Sequence, residues 1–123
     1  MIDLSKIKAV ELPEKTVKVN IHGTIQEQNI KPLTGDHRLR SWALDYTHDP
    51  AQSTHDRVML TLVNGAGLDA KTALELISVD WDAAVTLSAD VLNFTEEFEK
   101  KISEEKKNAE KNLNTDTSAA TLS

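Results

Sequence analysis

The sequence predicts an α+β domain, mostly α-helical. A small N-terminal antiparallel β-hairpin or meander over residues 7–31 precedes about four helices near 36–47, 54–64, 69–78 and 80–110, the last of them long. Three observations carry that reading. Val17, Val19 and Ile21 alternate strictly with Thr16, Lys18 and Asn20, the period of a half-buried strand. From Leu33 onward, apolar residues instead recur three and four apart, which aligns them on one face of a helix. The chain has 123 residues, 39% of them hydrophobic, enough for one domain over residues 1–112 with one modest core. Residues 113–123 have the composition of a disordered polar tail.

Taken in order, Ile7 and Ala9 begin a first alternating run, and Leu12-Pro13-Glu14-Lys15 separates it from the second with turn chemistry. Gly23 lets the chain reverse. Thr24 to Ile30 alternates more weakly, and Pro32, which cannot donate to a ladder, belongs at an edge or an end. So small a sheet is marginal alone and needs helices on one face. Thr34 or Asp36 is placed to cap the first helix, whose Leu39, Trp42, Ala43 and Tyr46 share one side, and Asp49-Pro50 closes it. Ser53 or Thr54 caps the second, with Val58, Met59, Leu62 and Val63 as its apolar stripe, and Asn64-Gly65-Ala66-Gly67 ends it. Asp69 caps a short third helix with Ala70, Ala73, Leu74 and Ile77. Asp80 caps the fourth, on which Trp81, Ala84, Val85, Leu87, Ser88, Val91, Leu92 and Phe94 face inward. The expected core is Val19, Ile21, Leu39, Trp42, Val58, Leu62, Leu74, Ile77, Trp81, Val85 and Leu92.

Past Phe94 the fourth helix changes character. Six Glu and five Lys crowd residues 96–111, and only Phe98 and Ile102 continue the apolar line. A helix reaching Asn112 would be roughly 50 Å long, so its last turns must project beyond a domain of this size. A solvated helix held by Glu–Lys pairs four apart accounts for the charges. It does not account for both phenylalanines of the chain lying in one line with Ile102. That line, with Glu97, Lys101 and Glu105 as its rim, is the candidate partner-binding surface.

Charge and residue inventory exclude several functions. Twenty acidic against fourteen basic side chains give a net charge of −6, the wrong sign for sequence-independent nucleic-acid binding. The absence of cysteine removes disulfides, thiolate nucleophiles and thiolate metal sites. No apolar run is long enough to span a membrane or serve as a leader, so a chain that stays in solution inside a cell is expected. Asp45, His48, Asp49, His55 and Asp56 are the densest catalytic material, and a metal-dependent hydrolase would use His48 and His55 with Asp49 or Asp56. They lie, however, at a helix end and a helix start, where Asp is already favoured, and lack the spacing that puts two imidazoles on one face. The glycines at 65 and 67 follow a helix rather than a strand and precede no Gly-Lys-Ser/Thr, so they read as a helix stop, not a phosphate loop. The expectation is a non-enzyme without metal or cofactor; a small acidic inhibitor or antirepressor-type interaction protein is an alternative.

The order of elements carries a resemblance. A hairpin strand Thr16-Val17-Lys18-Val19-Asn20-Ile21 leads through Ile30-Lys31-Pro32-Leu33-Thr34 into helices. The apolar helix Val58 to Val63 is followed by Ala73-Leu74-Glu75-Leu76-Ile77-Ser78-Val79-Asp80-Trp81-Asp82-Ala83-Ala84-Val85, a long helix and a Ser/Thr/Ala tail, Trp81 with Ala84 being most distinctive. Over most of its length the chain resembles the tail assembly chaperone family of long-tailed bacteriophages and prophages. The resemblance implies a factor in the bacterial host cytoplasm that binds the tape measure protein, keeps it soluble, recruits tail tube subunits and is not retained in the mature virion. It also implies, as partners, the tail tube protein, a frameshift-extended form of the chain itself and a possible homo-oligomer, with no nucleic acid and no membrane.

Overall fold

The strict alternation becomes β1 (Lys15–Ile21), and the weaker one becomes β2 (Thr24–Ile30), its antiparallel partner in a two-stranded sheet. Four helices follow: α1 (Gly35–Ala43), α2 (Pro50–Asn64), α3 (Ala70–Val79) and α4 (Trp81–Leu122). This computed structural model describes residues 1–7, 11–44 and 49–122. No helix among them is long and apolar enough to cross a membrane.

The hairpin closes through His22 and Gly23, whose φ angles of 49° and 88° are both left-handed, as a two-residue turn matched to strand twist requires. Pairing Val17 with Gln28 and Val19 with Gln26 places Val17, Val19 and Ile21 on the same face as Gln26, Gln28 and Ile30. That face packs on the helices, with Val19 and Ile30 buried. Gln28 lies there because its Nε2 donates to the Ala66 carbonyl (2.7 Å) beyond the end of α2. The expected sheet over 7–31 is thus shorter. Ile7 follows a 3-10 turn (Leu4–Lys6) and is exposed, Glu11 is outside any strand, and Lys8, Ala9 and Val10 lie outside the described residues.

Asp69 and Asp80 cap α3 and α4 as the sequence predicts, accepting from Thr72 N (2.7 Å) and Ala83 N (3.1 Å). The start of α2 differs. Asp49, expected to close α1, opens α2: its carboxylate accepts from Gln52 N (3.1 Å), and Pro50 occupies the first turn, where its missing N–H costs nothing. Ser53 and Thr54 then lie inside the helix and bond back to the Pro50 carbonyl. Thr34 stands at the start of α1 without a side-chain cap bond. The helix stop at 65–67 has a second reason for glycine, since a Cβ on Gly65 would overlap the Val91 side chain. The bare backbone lets the end of α2 lie directly on α4.

The core is formed by Val19, Ile30, Leu33, Val58, Leu62, Ala66, Ala73, Ala83, Ala84, Leu87 and Val91, with Ile21, Ile77 and Leu92 packed at its edge. Five expected core residues are instead on the surface: Leu39 (62% exposed), Trp42 (54%), Leu74 (47%), Trp81 (44%) and Val85 (37%). The cause is the same along α4 and α1. α4 docks by its narrow side, Ala83, Ala84, Leu87, Ser88, Val91 and Thr95, which brings backbones close and rotates bulky Trp81 and Val85 outward. α1 docks through buried Ser41, whose carbonyl accepts from Arg57, and through Arg38. Trp42 is covered by the Arg38 guanidinium, 5.1 Å from its ring, rather than by the core. The expected end of the last helix near 110 also moves. α4 runs for 42 residues, about 63 Å, past that bound to Leu122. Propagating a formed helix adds one hydrogen bond per residue, so a polar segment can extend what it could not nucleate.

Two polar contacts lock the elements together. Thr95, fully buried, accepts from Leu33 N (2.9 Å) and donates to the Val91 carbonyl (2.8 Å), tying the strand-to-helix connection to α4. Thr95→Val keeps the shape but strands a buried N–H. A loss of about 1–3 kcal/mol is expected in urea unfolding, with Thr95→Ser losing clearly less. Asp80 also accepts from His22 N (3.1 Å), while His22 Nε2 donates to the Val79 carbonyl (2.5 Å), so the hairpin turn is pinned to the α3–α4 corner. The Ala83 N–H and then the His22 N–H hold the Asp80 carboxyl below its ordinary value. Its stabilising contribution is therefore full above the unfolded value near ~3.9 and is lost as pH falls through the lower folded value. In acid titration followed by circular dichroism, Asp80→Asn should lose stability less steeply below about pH 4 than the parent chain.

Candidate functional site

The second half of α4 leaves the core gradually. Val91 and Thr95 are fully buried, Phe94, Phe98 and Ile102 are half-buried, and Glu97, Lys101 and Glu105 are exposed. A spacing of four residues keeps each set in a line, so an apolar ridge runs beside a charged one. All six residues nominated from the sequence line one groove of ≈ 400 Å³. Its far wall is Glu11 and Pro13, from the segment leading into β1. At the Phe94 end the Lys15 ammonium stands 5.7 Å from the ring centre.

On the other side of α4, Phe98 and Ile102 line a second groove of ≈ 340 Å³ against Leu33, Thr34 and Gly35 at the start of α1. Its polar lining is Arg38, Glu99, Ser103 and Lys106. Arg38 grips Glu99 through two bonds, Nε to Oε2 (3.0 Å) and Nη2 to Oε1 (2.9 Å), fixing α1 against α4 at this level. Phe98 and Ile102 therefore form a ridge between two open grooves, supported from below and uncovered above.

The sequence nominates the ridge and its rim but not the walls. Glu11, Pro13, Arg38 and Glu99 reach the site only through the fold: Arg38 and Glu99 are 61 residues apart, and nothing local marks either as the other's partner.

Of the His/Asp cluster, Asp49, His55 and Asp56 are described and belong to the start of α2. Asp45 and His48 lie outside the described residues. Asp49 caps α2, and Asp56 accepts from Gln52 Nε2 (2.8 Å) with His55 Nδ1 3.6 Å away. Among the described residues no three His, Cys, Asp or Glu side chains come together as a metal site. No family model, curated protein or solved structure matches the chain.

Proposed function

We propose that this chain is a binding protein rather than an enzyme, and that it acts as a phage tail assembly chaperone. In that reading it holds the tape measure protein soluble in the host cytoplasm and delivers it to tail tube subunits. One observation supports it above the others: the Phe94–Phe98–Ile102 ridge, half-buried on a helix too long for its own domain, between two apolar grooves with charged rims. A client that is a long helical chain exposes apolar stripes until it is enclosed, and a ridge with flanking grooves is the shape that shields such a stripe. The resemblance in element order supplies the more specific identity of client and tube.

The test is co-expression with the tape measure protein, whose gene the reading places immediately downstream. The parent chain should keep that client in the soluble fraction, and Phe98→Asp should not. A neighbouring gene of another kind, or a client equally soluble with a folded Phe98→Asp chain, overturns the proposal.

A further inference from the structure

We infer that the groove between α4 and the Glu11–Pro13 segment takes an amphipathic helix whose rim carries basic, acidic and basic residues at four-residue spacing. This rests on the binding role proposed above and adds the chemistry of the partner. Three carboxylates, Glu11, Glu97 and Glu105, line the groove against Lys101, with a second ammonium, Lys15, standing over the Phe94 ring at one end. On α4 the sequence of charges is negative, positive, negative, at positions 97, 101 and 105, about 6 Å apart along the axis. A helix lying beside α4 with its apolar face on Phe94, Phe98 and Ile102 meets those charges at the same pitch. The complementary rim is therefore basic at i, acidic at i+4 and basic at i+8. Because this pattern is the same read in either direction, it fits a parallel or an antiparallel helix. Glu11 on the far wall adds to the preference for a basic partner.

The same charges fit a second copy less fully. In register, a twofold interface sets like charges against like, and a one-turn stagger pairs Glu97 with Lys101 but leaves Glu105 opposite Asn93. Such like-charge contacts select against the wrong partner more than they weaken the right one.

The probes are two labelled helical peptides of ~18 residues with an identical Leu/Phe face, long enough to span the groove. One carries Arg, Glu, Arg at the rim positions and the other Glu, Arg, Glu. Fluorescence anisotropy with the full chain should give about tenfold tighter binding of the first at low salt, the sum of a few exposed ion pairs, with the gap closing in 0.5 M salt. The triple variant Glu97→Lys/Lys101→Glu/Glu105→Lys keeps the pairing along α4 and should reverse the preference. Equal binding of both peptides, lost in Phe98→Asp, would overturn the rim chemistry while leaving the ridge as a binding surface. Binding of neither peptide by the folded chain would overturn both. A dimer in sedimentation that both peptides displace would put a second copy in the groove and overturn the inference.

Discussion

Val91→Asp is expected to abolish the cooperative unfolding transition, whereas Val85→Asp, six residues earlier on the same helix, is expected to leave a folded chain. Val91 is fully buried where α2, α4 and the bare backbone of Gly65 meet. A carboxylate there has no partner among these apolar neighbours, and desolvating it costs several kcal/mol beyond the lost packing. That is comparable to the whole stability of a small domain. Val85 is 37% exposed, and its replacement should cost about 1 kcal/mol. Far-ultraviolet circular dichroism and urea melts of the two variants check this. Similar loss at both positions would mean that α4 packs by its Trp81–Val85 side.

Phe98→Asp is the second large effect, on binding rather than folding. The ring is half-buried on the ridge and reaches both grooves, so a helix docked as proposed would cover the rest of it. Completing the burial of one Phe is worth about 1–2 kcal/mol, and seating a carboxylate in the interface costs more, so binding should fall by at least roughly thirtyfold. The fold should survive, because the neighbouring core residues Val91 and Thr95 are untouched. Ile102→Ala should give a smaller loss in the same assay. A folded Phe98→Asp chain that binds as the parent does would move the partner away from this ridge.

Much of the fold was legible because local chemistry dictates it. Strict alternation specified β1, Gly23 the reversal, and Asp69 and Asp80 the starts of α3 and α4. Asp49-Pro50 is ambiguous in sequence, because the same dipeptide that stops one helix also opens the next, with Asp as cap and Pro in the first turn. On α4 the periodicity marks a broad inward face that already includes Ala84, Leu87, Ser88 and Val91, and close helix packing selects its narrow half, adding Ala83 and leaving Trp81 and Val85 outside. Of the site, Phe94, Phe98, Ile102 and their charged neighbours stood out because helical spacing continued past the point where a domain could use it. The walls were invisible, since Leu33 meets Thr95 and Arg38 meets Glu99 across more than sixty residues of chain. The Glu11–Pro13 wall was likewise hidden, because turn chemistry announced a break there and not a surface.

The central claim is that the ridge on α4 is where a helical client docks. The most direct measurement places a photo-crosslinking phenylalanine analogue, one at a time, at Phe98, Ile102, Trp42 and Trp81 in chains co-expressed with the client proposed above, and compares adducts by mass. Strong adducts from positions 98 and 102 and weak ones from 42 and 81 are the expected result. Adducts concentrated at Trp42 or Trp81, or equally weak at all four positions in a soluble complex, would contradict it.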